Sequence, residues 1–275
     1  MTIPIYFEDF GGTGPILHFA HPNAYPPACF TPILEPLTAG YHVIAMHHRP
    51  LWPGHSPEEF ENWQVIADDL QNFLAQQEVE KIIGVGHSLG AVATMKVAWQ
   101  HPYLFKALVL IEPVFLEPQI LQLLAENPAI TEDLPMVQKT RKRRVNWPDR
   151  QTAFDHYRAK SVFDRWLDDA LWFYINEGLV ETGDGDLTLA FSREWEAQIY
   201  TRYPRRIWEE LPLVSQPTLA IRGAESDTLT PEAWRLWQEL QPEATFIEIA
   251  GAGHMAPMEK PAEVVQVIND FLGQN

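Results

Sequence analysis

Short runs of aliphatic and β-branched residues recur along the chain at Ile16 to Phe19, His42 to His47, Lys81 to Val85, Ala107 to Ile111, Thr218 to Ile221 and Thr245 to Ile249. Each is of strand length, and several are separated by apolar positions at helical spacing. Ser56-Pro57-Glu58-Glu59 has the spacing of a capping box with proline at the first helical position. Phe60, Trp63, Ile66, Ala67, Leu70, Phe73 and Leu74 follow as one apolar stripe, which predicts an amphipathic helix. Leu89 to Gln100 and Pro261 to Leu272 predict two more. Strands alternating with helices imply a parallel sheet in an α/β fold. From about Phe115 to Leu211 the alternation stops: patterns are helical, prolines are scattered and Gly183-Asp184-Gly185-Asp186 marks a turn. The expected organisation is a core domain of residues 1–114 and 211–275 with a helical insertion of residues 115–210.

Composition narrows the function. The 275 residues carry 20 Lys and Arg against 37 Asp and Glu, a formal charge of −17, so sequence-independent binding to nucleic acid is not expected. Residues 115–211 hold 13 of the basic residues against 17 acidic ones, making the insertion less acidic than its flanks. The single cysteine, Cys29, excludes an internal disulfide and fits a reducing compartment. No apolar stretch approaches the roughly 20 residues of a membrane helix, and MTIPIYFEDF lacks the features of a secretory signal. A cytoplasmic location and no membrane partner are expected.

The sharpest chemical signal is Gly86-His87-Ser88-Leu89-Gly90, which follows an apolar strand and opens a helix. A serine raised at the carboxyl end of a strand needs a tight turn, and a Cβ two residues to either side of it would collide with neighbouring backbone. The helix that follows directs its amino-terminal dipole, and the free N–H of Leu89, at an oxygen that becomes negative when Ser88 attacks a carbonyl.

With this motif in place the chain resembles the α/β-hydrolase fold family from Ile16 to its end. The resemblance implies a mostly parallel central sheet flanked by helices, with a helical cap inserted after the sixth strand. It also implies the order nucleophile, acid, histidine. The acid loop is matched by Arg222-Gly223-Ala224-Glu225-Ser226-Asp227-Thr228-Leu229-Thr230-Pro231, where Asp227 precedes proline by four residues. The histidine loop is matched by Gly251-Ala252-Gly253-His254-Met255-Ala256-Pro257. A Ser88–His254–Asp227 triad is therefore expected, with Glu112, just after the preceding strand, as the alternative acid. The family's His-Gly dipeptide is replaced by His21-Pro22-Asn23-Ala24, so the second oxyanion donor falls to Asn23 or Ala24, and Asn23 is preferred; its side-chain amide has the alternative role of holding the loop.

Other signals are weaker. His18, His21 and His87 lack the clustering of a metal site, and the adjacent His47 and His48 point to opposite faces of a strand, so no metal is expected. Gly11-Gly12-Thr13-Gly14 reads as a hairpin turn, not a phosphate loop, and no cofactor is expected. The run Lys139-Thr140-Arg141-Lys142-Arg143-Arg144 reads as a solvated helix face, with docking of an anionic substrate as its functional alternative. Serine at position 88 calls for an acyl substrate: a carboxylic ester, or a thioester, lactone or carbon–carbon bond. A weakly catalytic ligand receptor on the same fold is the competing class. The expected partner is a small acyl molecule, and the expected state is monomer or homodimer.

Overall fold

The computed structural model describes residues 5–77 and 81–274. Ten strands are present among them: β1 (Phe7–Gly11), β2 (Ile16–Ala20), β3 (His42–Met46), β4 (Ile82–His87), β5 (Phe105–Ile111), β6 (Asn146–Trp147), β7 (Leu179–Glu181), β8 (Leu187–Leu189), β9 (Thr218–Gly223) and β10 (Thr245–Ile249). Seven form one sheet in the order β1-β3-β2-β4-β5-β9-β10, parallel except for β1, which runs antiparallel to β3. All six apolar runs fall on strands of this sheet. The strand they miss, β1, is an edge strand of alternating exposure whose Phe7 is 44 % exposed, so it carries no continuous apolar signal. Gly11 to Gly14 does turn the chain, but the strands it joins are not paired, because β3 lies between them.

The central strands read as unbroken apolar runs because both faces of the sheet are covered. Ile83, Val85, Ala107, Val109 and Ile111 pack on one face with Ile33 and Leu34 of helix α1 (Thr31–Leu37). Leu108, Leu110 and Ala220 pack on the other with Ile66 and Leu70 of helix α2 (Gln64–Gln76) and with helix α3 (Leu89–Gln100). Pro261–Leu272 is helical as predicted and joins the first face through Val264 and Ile268. The capping box is not used: Pro57–Glu59 is an isolated 3-10 turn, and α2 starts at Gln64. Phe60 is buried, and the Trp63 indole N–H donates to the carbonyls of Ile199 (3.2 Å) and Arg202 (3.0 Å), so tertiary contacts hold residues 60–63 outside the helix.

The intervening segment enters directly after β5, the fifth strand among the described residues and not the sixth. It is not purely helical either. β6, β8 and β7 form a small antiparallel sheet, and Gly183 to Asp186 closes the hairpin between β7 and β8, with the Thr182 N–H donating to the Asp186 carbonyl at 2.8 Å. Strands of two or three residues are too short for a period to show. The segment is joined to the sheet domain by a buried ion pair, Lys96 Nζ to Glu210 Oε2 at 2.6 Å. A cleft of about 560 Å³ opens beside this pair, lined by residues that include Trp63, Arg202, Tyr203 and Arg205. No helix among the described residues is long and apolar enough to cross a membrane.

Both members of the Lys96–Glu210 pair have more than nine-tenths of their side chains buried. Lys96→Met strands the Glu210 charge in the interior and is expected to cost about 3–5 kcal/mol in denaturant unfolding, whereas Lys96→Met combined with Glu210→Leu recovers most of that loss.

Candidate active site

β4 ends in a turn that forces Ser88 into the left-handed region, with φ 56° and ψ −117°, immediately before α3. The flanking glycines are required by contact. A Cβ on Gly86 would stand 2.6 Å from the Ala91 Cα and the Gly90 carbonyl oxygen, and one on Gly90 would fall on the Ala20 carbonyl. Leu89 is the first residue of α3, and its N–H has no carbonyl four residues back to bond.

His254, in the loop after β10, meets this turn. Its Nε2 lies 3.0 Å from Ser88 Oγ, and its Nδ1 lies 3.0 Å from Glu112 Oε2. A carboxylate only accepts, so Nδ1 carries the proton and Nε2 is left to accept the serine hydroxyl. Glu112 is completely buried and follows β5 in a left-handed conformation (φ 47°). It receives two further donors: the Gly223 N–H on Oε1 at 2.6 Å and the Ser226 hydroxyl on Oε2 at 2.7 Å. Three donors on one carboxylate compensate for its removal from water.

Asp227, the expected acid, is not brought to His254. It is exposed, and its side chain meets the Thr228 hydroxyl at 3.5 Å. The cause lies in the loop. The buried Arg222 guanidinium donates to the carbonyls of Leu229 (2.7 Å) and Ser226 (3.4 Å) and also pairs with Glu248. The loop so held turns Ser226 inward, where its Oγ also accepts the N–H groups of Thr228 and Leu229, and leaves Asp227 outside. The helix that begins at Pro231 is capped by Thr230, not by Asp227. The geometry thus brings Glu112, the alternative acid, and not Asp227 to His254.

The loop after β2 is set by histidines. The His21 Nδ1–H donates to the Pro22 carbonyl (2.9 Å), and its Nε2 accepts the His48 N–H (2.9 Å). The His48 Nε2–H donates back to the His21 carbonyl (2.8 Å), and the ring centroids lie 3.8 Å apart. Asn23 is 5 % exposed, and its side-chain amide donates to the main-chain carbonyl of Glu196 (3.2 Å), tying the loop to the intervening segment. Ala24 follows at φ 75°. His87 supports the catalytic-loop backbone through an Nε2–H donated to the His254 carbonyl at 2.9 Å. The backbone beside it is held by Glu259, which accepts the Gly253 N–H at 2.6 Å. No group of three or more His, Cys, Asp or Glu side chains among the described residues is arranged to hold a metal ion.

Comparison with known proteins identifies the family and the fold. The profile of the Alpha/beta hydrolase family matches residues 18–267. The chain belongs to this family. A family relative is the abhydrolase domain-containing protein ACTT2-1 of Alternaria alternata, 26 % identical over 234 residues, covering 71 % of this chain and 84 % of that protein. Another is the 2-(acetamidomethylene)succinate hydrolase of Mesorhizobium japonicum, 23 % identical over 266 residues, covering 95 % and 89 %. The crystal structure of an E-2-(acetamidomethylene)succinate hydrolase superposes with a TM-score of 0.81 at 22 % identity, covering 98 % of this chain and 95 % of that one. Within the family fold, Ser88 and His254 were legible from their loops. Glu112 stood as the second choice because the motif around Asp227 is the more conspicuous in sequence.

Four imidazoles, on β2, on β4 and in the loops after β2 and β3, are fully buried, and burial depresses all of them: His18 and His87 to about 3, His48 to about 4, and His21 well below its ordinary value. In the unfolded chain they titrate near 6.5, so between about pH 4 and 6.5 the unfolded state binds more protons and stability rises with pH. Unfolding measurements should therefore show stability falling as pH drops from 7 to 5, each ring contributing up to about 1.4 kcal/mol per pH unit once its unfolded form is charged. His48→Gln, which keeps a donor for the His21 carbonyl, should make that pH dependence shallower. An unchanged slope would show that His48 already takes up its proton in the folded state.

Proposed function

We propose that this protein is a serine hydrolase of carboxylic esters or closely related acyl compounds, working through Ser88, His254 and Glu112. The observation that carries this reading is the unbroken line from hydroxyl to imidazole to buried carboxylate, two contacts of 3.0 Å each. Ser88 Oγ attacks the substrate carbonyl while its proton passes to His254 Nε2. Glu112 keeps the other ring nitrogen protonated and stabilises the imidazolium that forms. The new oxyanion is held by the Leu89 N–H and by a second donor from Asn23 or Ala24. His254 then returns the proton to the leaving group, and a water activated by the same ring releases the acyl group.

The segment spanning residues 115–210 acts as a cap that shields the acyl-enzyme from bulk water. Membership of the family and a relative named as a hydrolase support the reaction class. The same residues would serve a thioester, a lactone or the carbon–carbon bond of a β-dicarbonyl compound, since each presents a carbonyl to the serine.

Short p-nitrophenyl esters test the reading. A burst of p-nitrophenol and fluorophosphonate labelling are expected from the native chain, and Ser88→Ala should remove both. Glu112→Gln should lower kcat by about 10³–10⁴-fold, because the imidazole loses the partner that fixes its tautomer. Asp227→Asn should leave kcat within about threefold. Intact turnover in Glu112→Gln with loss in Asp227→Asn would reverse the assignment.

A further inference from the structure

The basic run at Lys139 to Arg144 divides on folding. Lys139, Arg141 and Lys142 lie on helix Pro135–Lys142, with Arg141 and Lys142 exposed; Arg144 is exposed over the Trp147 ring, whereas Arg143 turns inward and its side chain is 19 % exposed. Only one nitrogen of its guanidinium is engaged: Nη1 lies 2.6 Å from Glu196 Oε2. Nε and Nη2 are enclosed and have no hydrogen-bond partner in the protein. These two nitrogens form one edge of the guanidinium, the edge that grips a carboxylate with two parallel bonds. The molecule contains that pairing elsewhere: Arg49 offers Nε (2.9 Å) and Nη2 (2.6 Å) to the two oxygens of Asp69. Arg143 therefore has a complete carboxylate-binding edge with nothing on it, where buried donors are normally satisfied.

The surroundings favour an anion. Tyr25, Tyr157, Tyr174 and Tyr200 are aromatic neighbours that couple electrically to Arg143, and burial pushes all four hydroxyls up and keeps them protonated, so none serves as its counter-charge. Trp166, whose ring meets Tyr25 and Tyr174, and Trp147, whose ring meets Tyr157, also have buried indole N–H groups without a partner. A second cation is close: Lys160 stands 4.9 Å over the Tyr157 ring and is held below its ordinary value by burial and by the Arg143 charge. Two cations and one carboxylate, Glu196, leave the cage with a positive balance and a surplus of donors.

This cage is tied to the nucleophile. Glu196 holds Asn23 through its main-chain carbonyl, and Asn23 and Tyr25 belong to the loop whose Ala20 and His21 carbonyls abut Gly90, two residues from Ser88. Building on the hydrolase reading above, we propose that the substrate is an acyl compound carrying a free carboxylate, which the Nε and Nη2 edge of Arg143 grips while Ser88 attacks the carbonyl at the other end. Arg143 is then the residue that determines specificity.

Monomethyl glutarate and methyl hexanoate, esters of similar length with and without a terminal carboxylate, make the test. The native enzyme is expected to have the higher kcat/KM for monomethyl glutarate, and Arg143→Gln should reduce the ratio of the two constants by about 10- to 100-fold. Arg143→Lys, which keeps the charge but lacks the two-pronged edge, should give an intermediate ratio and guards against a folding failure of the first variant. A native enzyme that prefers methyl hexanoate, or variants that lose both activities in equal proportion, would overturn the assignment of a carboxylate. Fluorophosphonate labelling of Ser88 in the native chain separates the two ideas: labelling without a carboxylate preference leaves the hydrolase reading standing and removes only this one, whereas failure to label or turn over either ester removes both.

Discussion

Glu112 has no contact with water, and a carboxylate in that position persists only while donors surround it. Its donors come from three separate places: the end of β9 at Gly223, the loop beyond it at Ser226, and the loop after β10 at His254. The carboxylate itself follows β5, and the serine follows β4. These four strands run parallel, so their carboxyl ends share one rim of the sheet, where the polar groups they carry can converge. Removing the Ser226 hydroxyl would loosen the imidazole as well as the acid, since one oxygen, Oε2, receives both Ser226 and His254, while Gly223 holds Oε1.

Much of this rim was readable in one dimension. Ser88 and His254 lie in loops whose glycines are dictated by local collisions, and local geometry leaves a local trace in sequence. The six sheet strands announced themselves because burial on both faces removes alternation and leaves plain apolar runs. The role of Glu112 could not be read the same way, because it depends on which of two neighbouring side chains, Ser226 or Asp227, the Arg222-bound loop turns inward. That choice is made by a guanidinium reaching three carbonyls, Leu229, Ala224 and Ser226, none of which has a sequence signature. The failed capping box has the same origin: Phe60 and Trp63 gain more from the core and from the carbonyls of residues 199 and 202 than a helical turn at Pro57 would provide.

Backbone strain marks the site independently. Four non-glycine residues among those described have positive φ, and three of them are Ser88, Glu112 and Ala24. Such conformations cost about 1–3 kcal/mol each and endure only where the surroundings leave no alternative. Here hydrogen bonds hold the surroundings: the closely packed His21 and His48 rings fix one loop, and His87 and Glu259 fix another. Uncharged imidazoles suit this purpose, since they cross-link backbone in the interior without adding a positive charge that would compete with His254 for Glu112.

The point of entry of the inserted segment has an evolutionary consequence. The segment of residues 115–210 begins three residues after Glu112, so the buried carboxylate that meets His254 and the seam of the insertion are close in the chain. Exchange of this segment with that of a cousin protein, by recombination or by grafting, preserves the relay only if the crossover falls downstream of Glu112. A cut upstream of Glu112 would carry the carboxylate away with the module, and Asp227, held outside by its loop, does not reach His254 to replace it.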